Sequence, residues 1–555
     1  MPIVEVLKFG SSVLRSTEEL AIAVDEIYRR WRSGYRILAV VSAFDGVTDR
    51  LIGNAERLFG TDCPEATASY VATGEQQTAA LLVGSLVRCG IPARFVNPSE
   101  IALIAEGSPL ESAPTAVDTT ILELLWNNYA VLVLPGFFGT SASGQVALFG
   151  RGGSDLSALF LAAELGGACR LLKDVCGVFN DDPARDSEAR RFSSLSWATA
   201  VDVAGPLIQP KALRYAQTLN LPFEVGRPNE DRCTLVGGPA DRLAPTSESV
   251  RRLRVVLLGC GIVGRGVYDA IKRYPERFEI CHVVVRHVER HADVSGVTTD
   301  LSVVLGPSID VVIECFGGVE RAYPLIAAAV MGGKFVITAN KAVVAAHWNS
   351  LSRYACGNER RLWFSAAVGG ALPALETISG LQIPICEIRA VINGTCGVVL
   401  DALALGKTRA EAIESARDAG FCEADPSRDL SGQDSADKLA LMIQAAFGIW
   451  VAPSEIPIRG IDSIPDNPGA YKMIARARRS RSGVSAFVAP ERSSPDSFLG
   501  QATGPENRLE IELETGELIR LRGQGAGRWP TTISVLGDLH EVARIIETGC
   551  SQGNA

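Results

Sequence analysis

No two of the thirteen cysteines stand in C-x-x-C spacing, and no group of them has the separation of a metal-ligand set. With an odd cysteine count in a long chain, the simplest reading is free thiols in a reducing, cytoplasmic setting rather than a disulfide framework. Long apolar runs are missing too. Glu5 and Lys8 interrupt the first ten residues before a signal-length stretch can develop, and no unbroken apolar run approaches the roughly 18 residues of a membrane span. The chain also lacks surplus positive charge: 54 Lys and Arg against 63 Asp and Glu leave a formal charge of −9. That excludes a nucleic-acid platform, because such binding displaces counterions with a concentrated basic surface. The local runs Arg251, Arg252, Arg254 and Arg476, Arg478, Arg479, Arg481 read as solvated edges.

What is present is an ordinary globular composition, 47% hydrophobic, 21% charged and 6% aromatic. Its 555 residues are too many for one core and enough for about three or four domains. Strand-like apolar runs at Val4–Phe9, 37–42, 130–134, Leu253–Leu258, Val311–Glu314 and Phe335–Thr338 alternate with helical stretches, the pattern of α/β layers on mainly parallel sheets. Residues 237–252, GGPADRLAPTSESVRR, are rich in Pro, Ser and charge without periodicity and read as an interdomain linker. Residues 489–507 read as a surface loop.

The run ending at Leu258 leads into Gly259-Cys260-Gly261-Ile262-Val263-Gly264 and then a helical segment, which is the G-x-G-x-x-G turn in its strand-to-helix context. The first glycine makes the turn, the second admits a pyrophosphate to the backbone, and the third lets helix pack on strand, with the helix N-terminus facing the phosphates. The same six residues in any glycine-rich α/β turn are the alternative reading, and the context favours a dinucleotide. The next strand ends at Arg286, where an NAD-selective enzyme usually places a carboxylate for the ribose. An arginine there pairs with a 2′-phosphate, so NADP(H) is expected, with NAD the alternative.

Further along come Thr338-Ala339-Asn340-Lys341, the stretch from Ala366 to Pro373, Ile392-Asn393-Gly394-Thr395, the stretch from Gly420 to Pro426 with Asp429, Asp434 and Lys438, and Gly525-Ala526-Gly527 before Pro530-Thr531. In this order and spacing, residues 252–548 resemble the homoserine dehydrogenase family. Reducing an aldehyde by hydride yields an alkoxide, so such a site needs a proton donor and cations near the developing charge. Asp434 and Lys438 stand four apart among apolar positions of helical spacing, so both project from one side of a helix; a surface ion pair is the bland alternative. The resemblance implies Lys438 as proton donor, Lys341 between nicotinamide and substrate, Glu423 on the substrate amino group, and Asp429 and Asp434 completing the pocket. Gly394 and Thr395 would face the substrate, while Thr338, Asn340, Gly420 and Gly525 would approach the cofactor. It also implies a Na⁺ or K⁺ held by the main-chain carbonyls of Ser365, Val368, Gly370 and Leu372, with Ser365 standing where the family has a glutamate.

The first half carries Lys8-Phe9-Gly10-Ser11-Ser12, Val41-Ser42-Ala43, Thr73-Gly74-Glu75, Pro135-Gly136-Phe137, Gly150-Arg151-Gly152-Gly153-Ser154-Asp155, and Lys173-Asp174-Val175 leading to Asp182-Pro183. In these it resembles the aspartokinases, of amino-acid kinase fold. Phosphorylating a carboxylate brings two anions together, so catalysis rests on cations and backbone donors. The resemblance implies Lys8 at the transferred phosphate, Ser42, Glu75 and Arg151 on aspartate, Asp155 organising the site, and Lys173, Asp174 and Asp182 beside ATP and its Mg²⁺. The first loop is one glycine short of the family pattern, Ala147-Leu148 replaces a Thr-Thr, and Gly205-Pro206 replaces a Gly-Ala-Lys. A non-catalytic, scaffold-like kinase domain is therefore the alternative. Fused relatives usually carry ACT regulatory modules between the halves, but the linker is far below the about 40 residues that an independent fold needs.

The expected architecture is an amino-acid kinase fold at 1–240, a linker at 241–251, a Rossmann domain at 252–380 completed by about 531–555, and an α+β catalytic and dimerisation domain at 381–530. The expected partners are small-molecule substrates and a second copy of the chain, with neither nucleic acid nor membrane.

Overall fold

The computed structural model describes residues 3–183, 185–186, 188–205, 207–245, 251–355, 361–422, 425–464, 470–481 and 483–548. The chain divides into two compact units, one of residues 1–88 and 92–249, the other of residues 89–91 and 250–555. Among the described residues no helix is long and apolar enough to cross a membrane.

In the first unit Val4–Phe9 is buried along its whole length and pairs in parallel with Arg36–Val41 on one side and Ala168–Leu172 on the other. Val131–Pro135 and Ala93–Phe95 extend this parallel sheet one way, and Phe223–Gly226 the other. Strands with both faces covered need continuous apolar sequence, which VEVLKF, RILAVV and VLVLP supply. The sheet reaches nine strands because Cys233–Val236, Phe192–Leu195 and Arg242–Leu243 add a mixed edge. Residues expected to be linker thus begin inside the unit: the backbone of Arg242–Leu243 completes the ladder of Phe192–Leu195, a pairing that a polar sequence can make as well as an apolar one. A separate four-stranded sheet runs Glu111–Ala116, Ile104–Ser108, Phe138–Thr140, Val146–Leu148.

The second unit holds a six-stranded, wholly parallel sheet in the order Val297–Thr298, Phe278–Val284, Leu253–Leu258, Val311–Glu314, Phe335–Thr338, Leu362–Trp363. Numbered along the chain this is 3-2-1-4-5-6, the doubly wound order that places a ligand crevice where the direction of winding reverses, between the first and fourth strands. Helix Arg528–Thr548 returns to cover one face, burying Val535, Leu536, Leu539, Val542 and Ala543 with Val255, Leu257 and Val267. At roughly 1.5–3 kcal/mol for each fully buried aliphatic side chain, this helix is a major part of that core. The remainder forms an antiparallel sheet in the order Gly483–Arg492, Tyr471–Ser480, Ile385–Val391, Glu506–Leu513, Leu518–Gln524, backed by helices Gly394–Ala404 and Gln433–Phe447.

The region expected to be a surface loop over 489–507 is shorter, since strands Gly483–Arg492 and Glu506–Leu513 claim its ends. It is also not wholly superficial. Leu499 and Ala502 are buried with Val391 and Ile474, an apolar anchor hidden in polar sequence. Of the basic run, Arg476 is half-buried and paired with Glu387, while Arg478 and Arg479 are exposed as a solvated edge would be.

Candidate active sites

Helix Gln433–Phe447 is bounded by Gly432 (φ +90) and Gly448 (φ +65), left-handed residues that stop it at both ends. Its first turns carry Asp434 and Lys438, both buried and joined at 2.8 Å from Lys438 Nζ to Asp434 Oδ2. The spacing expectation holds, but the pair is interior rather than superficial. Asp434 Oδ1 receives a second cation, Lys341 Nζ, at 2.8 Å. Lys341 opens helix Lys341–Ala346, capped by the Asn340 side chain, which accepts from Val343 N–H. Burial alone would raise the Asp434 carboxyl, yet Lys438 and Lys341 hold it far below the usual carboxylate range. Burial likewise works against the Lys341 charge, and Asp434, with Asp429 and Asp437 behind it, keeps that ammonium above its ordinary value.

Asn393, named in the sequence only as part of the Asn393-Gly394-Thr395 segment, joins this cluster through its side chain. Its amide donates to Asp429 Oδ1 (2.7 Å) and Asp434 Oδ2 (2.8 Å), while its carbonyl oxygen caps helix Gly394–Ala404 by accepting from Cys396 N–H at 2.8 Å. The signal was available: an Asn before the small residues Gly394-Thr395 at a helix start is an N-cap. Thr395 donates to Phe421 O (2.7 Å) and lies 3.2 Å from Asp429 Oδ2, and Lys438 donates to Ile392 O at 2.7 Å. Lys341, Asp429, Asp434, Lys438, Asn393 and Thr395 are thus one contiguous constellation. Gly394 is the first residue of its helix, and Gly420 (φ +77) follows helix Arg409–Asp418 as its left-handed stop. Gly525 turns the chain after Leu518–Gln524 against Asn507. Glu423 lies outside the described residues.

The dinucleotide turn has the required shape. Gly259 sits at φ +98, where an added Cβ would come 2.9 Å from Cys315 O, and a Cβ on Gly264 would come 2.0 Å from Gly259 O. Around Gly261, by contrast, nothing lies within 4 Å. Ile262 at the start of helix Ile262–Ile271 is 76% exposed and Val263 follows it on the same turn. An open glycine and an uncovered isoleucine at a helix N-terminus fit a bound pyrophosphate. Arg286 lies exposed just beyond strand Phe278–Val284. Thr338 ends its strand fully buried, donating to Glu314 Oε2 at 2.5 Å. Glu314 itself was overlooked, although a lone acid closing the apolar run VVIE is a visible anomaly.

Around the implied cation loop, Ser365 O accepts from Val368 N–H (3.1 Å) and Leu372 O from Ala374 N–H (2.8 Å). Gly370 (φ +61) packs against the Gly525 carbonyl. Among the described residues no group of three or more His, Cys, Asp or Glu could hold a metal ion.

In the first unit Asp155, on the first turn of helix Gly153–Leu165, bridges two buried lysines: Lys8 Nζ at 2.6 Å from Oδ1 and Lys173 Nζ at 3.0 Å from Oδ2. Parallel pairing sets Lys8 beside Leu171, two residues before Lys173, at the ends of adjacent strands. Burial would raise the Asp155 carboxyl, but the two ammoniums hold it low; burial lowers Lys8, against the pull of Asp155. Glu75 Oε1 accepts from Ala43 N–H (3.2 Å) next to Ser42, and burial pushes its carboxyl up to about 7. Arg151, Asp174 and Asp182 are exposed, with Asp182 3.3 Å from Arg185. Lys211, not anticipated, donates to Glu111 Oε1 (2.5 Å), Ser112 O (2.7 Å) and Phe149 O (2.9 Å), fixing the loop before Gly150. Pro206 lies outside the described residues.

The family described as homoserine dehydrogenase matches residues 375–540, and its NAD binding domain matches 259–365. Homoserine dehydrogenase of Bacillus subtilis (strain 168) is 30% identical over 330 residues, covering 55% of this chain and 76% of that protein. The chain belongs to the homoserine dehydrogenase family. The enzyme of Corynebacterium glutamicum is 31% identical over 322 residues, 52% of this chain and 72% of that protein. A crystal structure of homoserine dehydrogenase from Thiobacillus denitrificans superposes with a TM-score of 0.51 at 29% identity, covering 54% of this chain and 74% of that one. The amino acid kinase family matches 4–220. The arrangement is therefore a kinase-family unit followed by an NAD(P)-dependent homoserine dehydrogenase.

Proposed function

We propose that the second unit reduces L-aspartate 4-semialdehyde to L-homoserine with NADPH, and that the first phosphorylates L-aspartate with ATP. The observation that carries the dehydrogenase assignment is the Lys341–Asp434–Lys438 bridge around buried Asp434, extended by Asn393 to Asp429. When bound, the nicotinamide supplies the hydride. Lys438 gives its Nζ proton to the alkoxide oxygen, and Lys341 offers a second positive charge to the same region. Asp434 pairs with both lysines and fixes their separation, while Asn393 and Thr395 fix Asp429 for the polar end of the substrate. Glu423 would hold the substrate amino group. A Na⁺ or K⁺ would be held by the main-chain carbonyls of Ser365, Val368, Gly370 and Leu372. Arg286, exposed beyond the second strand, favours the 2′-phosphate. Arg286→Ala should weaken NADPH by about tenfold or more and NADH by less than about twofold; equal losses for both coenzymes reject the preference.

For the first unit, Lys8 and Lys173 would neutralise the phosphates, Asp155 would align them, and Glu75 with Ser42 and Arg151 would hold aspartate, whose ammonium suits a buried carboxylate. Mg²⁺ would bridge the phosphates near Asp174 and Asp182. ATP-dependent aspartyl hydroxamate formation by the full-length protein, absent in Asp155→Asn, is the expected result. No hydroxamate from the unmutated protein contradicts this half and favours a scaffold. The dehydrogenase pair, acting on small molecules in the cytoplasm as a homo-oligomer, does not depend on it.

A further inference from the structure

Glu314 ends the fourth strand of the 3-2-1-4-5-6 sheet and is fully buried. Phe316 N–H (2.8 Å) and Gly317 N–H (3.2 Å) donate to its Oε1, and the Thr338 hydroxyl donates to its Oε2 at 2.5 Å. Thr338 Oγ1 in turn accepts from Asn340 N–H at 3.0 Å. The Asn340 amide closes the ring by donating to Gly318 O at 2.7 Å. One carboxylate therefore ties loop 315–318 to the turn 338–340, from which Lys341 departs toward Asp434.

Among the described residues the partners of Glu314 are all neutral donors. Burial pushes its carboxyl above the ordinary range, and those donors pull it back. A buried carboxylate held by dipoles alone is costly, and such groups concentrate at functional sites. Its place is the C-terminal edge of the fourth strand, in the half of a doubly wound sheet that takes the second mononucleotide of a dinucleotide. Gly317 (φ +72) and Gly318 (φ +78) keep the approach clear, with nothing within 4 Å of a Cβ at either. Oxidised nicotinamide is a cation and reduced nicotinamide is neutral, so a fixed negative charge distinguishes them.

We propose that Glu314 is a positioning residue of the nicotinamide subsite, holding the 315–318 loop and the Lys341 turn together, and that its charge favours the oxidised over the reduced cofactor. The inference rests on nicotinamide binding by the second unit but not on phosphate preference, because the comparison is made within one oxidised and reduced pair. Equilibrium dissociation constants for NADP⁺ and NADPH, and for NAD⁺ and NADH, are measured on full-length protein and on Glu314→Gln, each verified as folded by its melting curve. The oxidised form should weaken about fivefold or more relative to the reduced form in Glu314→Gln. Glu314→Asp should keep the native ratio even if both affinities fall. Thr338→Val withdraws the hydroxyl donor, favours the protonated acid and should move the ratio the same way as Gln; it also serves if Glu314→Gln does not fold. A ratio unchanged in the neutral variants, with both affinities falling together, overturns the charge role. Unmutated protein that binds neither pair would instead overturn the dehydrogenase reading itself.

Discussion

Two aspartates in this chain each hold a pair of lysines, Asp155 between the buried Lys8 and Lys173, and Asp434 between the buried Lys438 and the partly exposed Lys341. Burying three charged groups together is expensive unless they satisfy one another, and removing one partner strands the others. Glu75 presents the opposite case, a buried carboxylate with a backbone donor and a carboxyl raised from its usual 4.5 to about 7. Below the unfolded value the group is protonated in both states and has no effect. As pH rises from 4.5 toward 7 the unfolded chain releases its proton first, so this residue subtracts stability, at most about 3 kcal/mol once both forms are ionised. Denaturant titrations of wild type and Glu75→Gln should diverge across that window, with the variant gaining relative stability as pH rises; parallel curves would contradict the burial of an ionisable Glu75. Most of these side chains were visible in the sequence as charged residues within recognisable segments. Asn393 and Glu314 were less so, because an amide or a lone acid acquires its role from partners 36 and 24 residues away.

The dinucleotide turn and the strands that frame it were the most legible elements. Val4–Phe9, Leu253–Leu258, Val311–Glu314 and Phe335–Thr338 appear at the expected bounds because each is a short apolar run buried on both faces. The edge strand Arg242–Leu243 and the anchored loop around Leu499 were illegible for the converse reason: their placement comes from backbone pairing and two apolar contacts, which leave no period in the sequence. Within the turn the glycines divide into two kinds. Gly264 is sterically required, since a Cβ would lie 2.0 Å from Gly259 O, whereas Gly261 has nothing within 4 Å. Gly264→Ala should therefore lower both the melting temperature and cofactor affinity. Gly261→Ala should leave the melting temperature within about 2 °C, as surface changes do, and still weaken the cofactor about tenfold by obstructing the pyrophosphate. Cofactor titration by fluorescence decides the matter, and undiminished affinity in Gly261→Ala would place the pyrophosphate elsewhere.

Taken whole, the chain joins an amino acid kinase family unit to a homoserine dehydrogenase unit, and each builds a hub in which one aspartate on the first turn of a helix pairs with two lysines. The two compact units part at 249–250, inside the aperiodic stretch that begins near 240, and the first unit extends into that stretch through the pairing of Arg242–Leu243. The catalytic role proposed for the lysine-aspartate bridge stands or falls on what Lys438 does. Steady-state reduction of aspartate 4-semialdehyde by Lys438→Ala, with cofactor dissociation constants measured alongside, tests it most directly. Loss of a general acid predicts a kcat lower by about 10²-fold or more, with cofactor affinity changed by less than about twofold. Turnover close to that of the unmutated enzyme would show that the proton comes from another group and that the Lys341–Asp434–Lys438 bridge serves only to hold the fold.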